Sequence, residues 1–154
     1  MSIPFSFRIP FIEQIGCTLE RCDSGHAEIA LQVGESHTNS FGVAHGGLLM
    51  TLLDVAMAHA ARSLRLDAKG EGPGLVTIEM KTNFMRPGLG HLRAQASVMH
   101  TTASLAFVEG KVLDDKDQLC AHSTATFKFL RAVPISRRQA LPLADAPLQG
   151  SGSD

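Results

Sequence analysis

The chain has 154 residues, of which 44% are hydrophobic and 19% are charged, and its formal net charge is −1. This length suits one domain with one buried core and is short for two. A net charge so close to zero, in a chain without tryptophan or tyrosine, gives neither an electrostatic nor a stacking basis for binding nucleic acid.

The N-terminal stretch MSIPFSFRIPF contains two prolines and an arginine. A signal peptide needs a continuous apolar stretch, so we expect a protein that is made and kept in the cytoplasm. Residues 5–14 predict a short helix after Pro10, whose expected role is to cover the core. Cys17, Cys22 and Cys120 are odd in number and lack metal-ligand spacing, so we expect reduced structural thiols and no metal site.

Two strands are predicted in residues 15–33, on either side of a turn at residues 23–25. The second strand alternates between two sets of residues, which indicates one buried face. The set expected to be buried is Ala27, Ile29, Leu31 and Val33. Residues 34–41 are polar and rich in turn formers, and they lead Asn39 toward the start of the next element.

A long apolar helix is predicted from Leu48 to Ala61, because no proline or glycine interrupts these residues and leucine, methionine and alanine dominate them. The run is shorter than the ~20 residues of a membrane span, so it predicts a core helix and no membrane partner. Its polar residues fall on one face, which we interpret as facing solvent or a subunit partner. They are Thr51, Asp54, His59 and Arg62.

Two features of this helix suggest chemistry. Asp54 lies among apolar neighbours, where a carboxylate is costly to bury unless it is paired or used, and the pattern alone leaves both a structural and a catalytic acid open. Gly46 and Gly47 fall at the helix start, where backbone N–H groups have no intrahelical partner. Glycine leaves those donors uncovered for an oxygen that gains negative charge, unless the pair only allows a tight turn.

Strand patterns resume after a predicted loop at residues 69–74. The first strand ends before a turn at residues 86–88, and further strands are expected at about 91–101, 103–113 and 118–130. On the first strand, one side is expected to carry Val76, Ile78, Met80, Thr82 and Phe84. The other side is expected to carry Leu75, Thr77, Glu79 and Lys81.

Together these elements predict an α+β fold in which a curved antiparallel sheet of five to six strands wraps a long central helix. Such a sheet leaves its edges open, so dimerisation by edge pairing is expected. The domain is expected to span residues 1–131. Residues 132–154, with their prolines and a GSGSD ending, predict a mobile tail.

The ordered set of Asn39, His45-Gly46-Gly47 and Asp54, followed by VTIEMKTNFMRP at residues 76–87, resembles the hot-dog-fold acyl-CoA thioesterases of the phenylacetic-acid-degradation (PaaI-like) subfamily. The resemblance implies the hot-dog fold and hydrolysis of an acyl-CoA to a free acid and coenzyme A. It implies no cofactor, because coenzyme A is part of the substrate. It also implies a homodimer, often paired into a homotetramer, with active sites shared between subunits.

The resemblance further implies a role for each matched residue. The N–H of Gly46, with Asn39 nearby, would polarise the thioester carbonyl. Asp54 would act as general base on water or as nucleophile, and Thr77 matches a hydroxyl residue that places the water or the acid. His45 is a further candidate, either in catalysis or in steadying the turn through its ring.

Coenzyme A carries phosphates, which basic residues near strand ends can bind. Arg86 is the first candidate, because it follows the strand that carries Thr77 and a guanidinium binds phosphate with two parallel hydrogen bonds. The further candidates for contacts with coenzyme A are Gly47, Arg93 and Lys128.

Two other classes of function share parts of this pattern. A hot-dog hydratase or dehydratase would hold the same thioester but would need a histidine with an acid to move a proton at carbon, and His59 lies more than a turn beyond Asp54. A non-catalytic acyl-CoA-binding module would leave the burial cost of Asp54 unexplained. The acyl group stays open, from aryl-acetyl to short or medium straight chains.

Overall fold

The computed structural model describes residues 1–130, and the tail predicted at residues 132–154 lies outside them. The described elements follow the predicted order of a short helix, two strands, a long helix and four strands, with a short 3-10 helix before the long one. Their bounds are α1 Pro10–Ile15, β1 Thr18–Asp23, β2 His26–Gln32, the 3-10 helix Glu35–His37, α2 Gly46–Ser63, β3 Leu75–Phe84, β4 His91–Thr101, β5 Leu105–Leu113 and β6 Leu119–Phe129.

The six strands form one antiparallel sheet in the order β1-β2-β4-β5-β6-β3, so β1 and β3 are its edges. The sheet packs against α2, which is apolar on most sides and therefore lies in the core. The alternation predicted for β2 holds except at Ala30, which is also buried, and buried and less buried side chains alternate along most of β6 as well. The predicted α+β architecture is confirmed, with the larger of the expected numbers of strands.

Helix α2 has 18 residues; it begins at the glycine pair, as expected, and extends beyond the predicted Ala61 to Ser63. Its fully buried residues are Leu52, Leu53, Ala56, Met57, Ala60 and Ala61. Within residues 1–130, no helix combines the length and the hydropathy that crossing a membrane requires.

The predicted sides of β3 are wrong in its first half. The pairing of β3 with β6 shifts between Thr77 and Glu79, which makes Ile78 the extra residue of a bulge. The residues of β3 that lie opposite buried positions of β6 are Leu75, Thr77, Met80, Thr82 and Phe84. The bulge therefore turns Thr77 toward α2 and leaves Val76 and Ile78 exposed.

The N-terminal residues cover the second half of α2, a surface that the sequence-based prediction of a covering segment did not specify. The rings of Phe5 and Phe7 lie 5.3 and 6.0 Å from the ring of His59, and Phe7 lies 4.7 Å from the guanidinium of Arg62. The side chains of His59 and Arg62 are only 5% and 6% exposed. The prediction that this face of the helix meets solvent or a partner is therefore wrong for both residues, because the chain's own N-terminus covers them.

Candidate active site

His45 holds the start of α2. Its backbone is extended, and its Nδ1 accepts a hydrogen bond from Gly47 N–H at 2.9 Å, so the ring acts as the N-cap of the helix. A Cβ at Gly47 would lie 3.1 Å from Nδ1, so glycine lets the ring come this close. The ring thus steadies the turn. Gly47, predicted to bind coenzyme A, has its backbone donor already occupied.

Gly46 N–H is the open donor at this end of the helix. Within residues 1–130 it has no hydrogen-bond acceptor. The positive end of the helix dipole adds to its attraction for an oxygen that carries negative charge. A Cβ at Gly46 would lie 3.5 Å from the ring of Phe84, so the last residue of β3 packs beside this donor.

Asn39 lies in the loop that leads into α2. Its Oδ1 accepts hydrogen bonds from the N–H groups of Phe41 at 2.9 Å and Val43 at 3.4 Å, which fixes the orientation of the amide. Its Nδ2 has no acceptor among the described residues, so this donor is free. The loop folds back through a bridge between Thr38 and Ala44, which places Asn39 beside the start of the helix.

Asp54 is half-buried on α2 and is paired with Thr77 of β3. Thr77 Oγ1 donates a hydrogen bond to Asp54 Oδ1 at 2.7 Å, a contact that depends on the bulge in β3. Among residues 1–130, no ion pair includes Asp54 and no hydrogen bond reaches Oδ2. One carboxylate oxygen is therefore oriented by Thr77, and the other is free to accept a proton.

Asp54 and Thr77 line a cleft of about 410 Å³ between α2, β3 and the N-terminal residues. The other lining residues are mostly apolar: Ile9, Phe11, Ile12, Met50, Thr51, Val55 and Met80. An apolar cleft with one oriented carboxylate suits an acyl group whose carbonyl lies at the carboxylate.

The structure gathers the predicted catalytic residues into two groups. Asn39, His45 and Gly46 lie at the N-terminal end of α2, and Asp54 pairs with Thr77 further along the helix. Asp54 follows Gly46 by eight residues, so their backbones are about 12 Å apart at about 1.5 Å per residue. A single described chain therefore does not bring the two groups to one carbonyl.

The basic residues predicted to bind coenzyme A lie at opposite ends of β6. Arg86 is exposed and donates from Nη1 to the carbonyl oxygen of Leu119 at 3.2 Å, and Arg93 is paired with Asp117 in the turn before β6. Lys128 lies near the far end of the strand, about 30 Å from Leu119 at about 3.3 Å per residue. Arg86 and Arg93 thus share one end, and Lys128 does not belong with them.

The cysteines and other metal-binding side chains form no site in the described part of the chain. Cys17, Cys22 and Cys120 are free, and burial raises the pKa of each thiol, which makes it a weak nucleophile at neutral pH. Within residues 1–130, no three histidine, cysteine, aspartate or glutamate side chains come together as a metal ion would require.

The sequence-based prediction missed the surroundings of His59 and Arg62. Each has one buried side-chain nitrogen, Nε2 of His59 and Nη2 of Arg62, without a hydrogen-bond partner among the described residues. The two N-terminal phenylalanines, Phe5 and Phe7, are the signal that a large apolar surface had to be covered, but their spacing alone does not indicate which surface.

The model of the thioesterase superfamily matches residues 41–121, which include Gly46, Asp54, Thr77 and Arg86. A medium/long-chain acyl-CoA thioesterase of Salmonella typhimurium is 24% identical over 135 residues, which cover 80% of this chain and 87% of that protein.

Solved structures match over about four fifths of the chain. A conserved protein of Pseudomonas aeruginosa has a TM-score of 0.71 and 31% identity, covering 80% of this chain and 95% of its own. A variant of the phenylacetic acid degradation protein PaaI of Thermus thermophilus has a TM-score of 0.70 and 27% identity, covering 79% of this chain and 100% of its own. These matches confirm the predicted hot-dog fold and the resemblance to PaaI-like proteins.

Proposed function

This chain belongs to the thioesterase superfamily, and from that membership we propose that it hydrolyses an acyl-CoA thioester to a free acid and coenzyme A. The observation that carries the proposal is the Asp54 carboxylate, oriented by Thr77 in an apolar cleft. The acyl-CoA thioesterase among its relatives supports coenzyme A as the thiol part of the substrate.

In the proposed reaction, Oδ2 of Asp54 takes a proton from a water molecule whose oxygen attacks the thioester carbonyl carbon. The carbonyl oxygen gains negative charge and is stabilised by Gly46 N–H and the free amide donor of Asn39. The C–S bond then breaks, and the thiolate of coenzyme A leaves and takes up a proton. General-base help contributes roughly 10² to 10⁴ in rate and one oxyanion donor roughly 10² to 10³, so efficient turnover needs both groups.

We propose that two chains supply these groups to each site. A carbonyl at Gly46 N–H needs its attacking group within roughly 3 to 3.5 Å, which Asp54 of the same helix does not reach across about 12 Å. A neighbouring helix of opposite direction would bring an Asp54 to that carbonyl.

The edge strand β3 supports this arrangement. It is exposed over most of its length and carries exposed apolar side chains, among them Ile78, which is 55% exposed. If β3 pairs with β3 of a second copy in antiparallel fashion, centred between Met80 and Lys81, Thr77 of one chain lies opposite Phe84 of the other. Because Thr77 binds Asp54 and Phe84 packs beside Gly46, the two groups then meet.

The geometry favours hydrolysis over hydration of an enoyl-CoA. On α2 and at its cap, the two histidines are His45, whose Nδ1 is engaged by Gly47 N–H, and His59, which is buried under Phe5 and Phe7. Neither is paired with an acid among the described residues. The histidine-acid pair that proton movement at carbon would need is therefore not formed at this helix.

The test is to incubate the purified protein with a panel of aryl-acetyl and straight-chain acyl-CoAs and a thiol-reactive dye. We expect release of free thiol in proportion to enzyme, and loss of that release in Asp54→Asn. Hydration without thiol release would assign a hydratase instead. Saturable binding without either reaction would assign a binding module, and both results would contradict the proposal.

A further inference from the structure

A second cavity, of about 310 Å³, lies beneath the N-terminal residues and next to the cleft of Asp54. Ile9 lines both spaces. The second cavity is also lined by Ala58, His59 and Arg62 of α2 and by Leu75 of β3. It therefore continues the cleft along the helix, away from the open donor at Gly46.

The spacing of the helix residues indicates a path between the two spaces. Asp54, Ala58 and Arg62 are four residues apart, so they lie on one face of α2. Asp54 and Arg62 are about 12 Å apart at the backbone. Ala58 lies between them, with Leu75 on the opposing strand, so the path has apolar walls.

The far end of this path carries a buried positive charge without a counterion. Arg62 is 6% exposed, and within residues 1–130 no hydrogen bond or ion pair includes its guanidinium. The ring of Phe7 lies 4.7 Å from the guanidinium and offsets only part of the burial cost. The same burial lowers the pKa of Arg62.

His59 beside it lacks a partner as well. Its Nδ1 lies 2.8 Å from the carbonyl oxygen of Val55, which can only accept, so Nδ1 carries the proton and Nε2 is an unpaired acceptor. An unpaired neutral acceptor costs less than an unpaired guanidinium, because desolvating a charge is more expensive. The charge of Arg62 therefore decides which ligand suits this cavity.

We propose that this cavity receives the far end of the acyl group and that Arg62 there binds a carboxylate, so that the preferred substrates are coenzyme A thioesters of dicarboxylic acids. The inference rests on the proposed thioesterase function and names its substrate class. Methylene groups fit the apolar path past Ala58 and Leu75, and the terminal carboxylate supplies the missing counterion. The ring of Phe7 borders the cavity and shifts to let the carboxylate reach Nη2.

The experiment compares a series of ω-carboxyacyl-CoAs of increasing length with straight-chain acyl-CoAs of matching length, by thiol release. At the best length, we expect kcat/KM to be about tenfold or more higher for the carboxylate. Arg62→Met should lose this preference while it still hydrolyses the straight-chain substrates. Arg62→Gln is the second variant if Arg62→Met does not fold.

Arg8→Met is the matched control. Arg8 lines the same cavity, but it is exposed and paired with Glu13 at 3.0 Å, so its charge already has a partner. We expect Arg8→Met to keep the preference for the carboxylate. Loss of the preference in both variants would assign it to the general positive potential of the region and overturn the specific role of Arg62.

The possible failures are distinguishable. Hydrolysis of straight-chain acyl-CoA without any preference for the carboxylate, or with a preference for a terminal hydroxyl, overturns this inference and leaves the proposed function standing. If no thioester is hydrolysed, the proposed function fails, and calorimetric binding of the same matched pairs decides the inference. Equal affinities overturn it, whereas tighter binding of the carboxylate that Arg62→Met abolishes supports it.

Discussion

The two ends of α2 both leave nitrogen atoms without partners among the described residues, but in opposite surroundings. At the N-terminal end, the donor is the backbone N–H of Gly46, between the exposed residues His45 and Gly47, where water satisfies it at little cost. At the other end, the side chains of His59 and Arg62 are buried, and each missing partner lowers stability. An open helix end is thus available for binding at little cost, whereas a buried unpaired charge needs a ligand to offset it.

Asp54 lies between these ends, and its substitution is expected to have the largest effect. Asp54→Asn keeps the volume and an oxygen for the hydrogen bond from Thr77, but it removes the base. We expect kcat to fall by roughly 10² to 10⁴, with the thermal unfolding midpoint and the binding of coenzyme A largely unchanged. Turnover above about a tenth of wild type would argue against an essential base.

Gly46→Pro removes the open N–H donor at the start of α2 while it keeps the backbone shape of the helix start. Proline fits the first position of a helix, and His45 before it has φ −61° and ψ 137°, a conformation that residues before proline favour. The added Cβ meets the Phe84 ring at an ordinary 3.5 Å. Because the N–H is removed, we expect kcat to fall by roughly 10² to 10³ with little loss of stability.

Gly46→Ala is the matched control, since it adds the same Cβ and keeps the N–H. Its kcat should stay well above that of Gly46→Pro in the same thiol-release assay. Equal losses in the two variants would show that crowding at this position matters and that the donor does not.

His45→Ala tests whether the ring acts through the cap alone. Loss of the bond to Gly47 N–H should lower the free energy of unfolding by about 0.5 to 2 kcal/mol, measured by urea denaturation. His45→Asn, a good N-cap residue, should restore most of that stability and most of the turnover. A stable His45→Asn protein with turnover as low as Asp54→Asn would place the ring in the chemistry.

The burial of His59 near the C-terminal end of α2 should make the stability of the protein depend on pH. Burial, and then the charge of Arg62, lower the pKa of His59, so the unfolded chain binds a proton at a higher pH than the folded one. The stability that depends on a neutral His59 is fully present above the unfolded pKa of about 6.5. It is lost as the pH falls toward the folded pKa, by up to about 1.4 kcal/mol of unfolding free energy per pH unit.

His59→Asn removes that titration and can still donate to Val55. Urea denaturation at a series of pH values between about 7 and about 5 should give a flatter curve for His59→Asn than for wild type. Parallel curves for the two proteins would mean that His59 is not shielded from protons as its burial suggests.

The fold could be predicted wherever the pattern is local. The apolar run of α2, the glycines at its start and the alternation in β6 each indicate their structure without knowledge of a partner. The bulge at Ile78 could not be predicted, because Val76 and Ile78 are at least as apolar as Leu75 and Thr77, the residues that face inward in their place. Only the register against β6 reveals the extra residue.

In the candidate site, as in the fold, only the local features could be predicted. The open donor at Gly46 follows from the sequence, since a glycine at a helix start is recognisable. The pairing of Asp54 with Thr77 depends on the bulge, so spacing alone does not give it. The burial of Arg62 depends on where the N-terminal phenylalanines pack, and a prediction based on helical periodicity placed it wrongly at a solvent-facing or partner-facing surface.

In the proposed site, Gly46 and Asn39 of one chain act with Asp54 and Thr77 of another. Its most direct test is complementation: an Asn39→Ala chain is co-expressed with an Asp54→Asn chain, each inactive alone, and the purified mixed dimer is assayed for thiol release. One of its two sites would carry both defects and the other neither, so we predict that about half of the wild-type activity returns. No recovery in a verified mixed dimer would place both residues in the site of one chain and contradict the shared site.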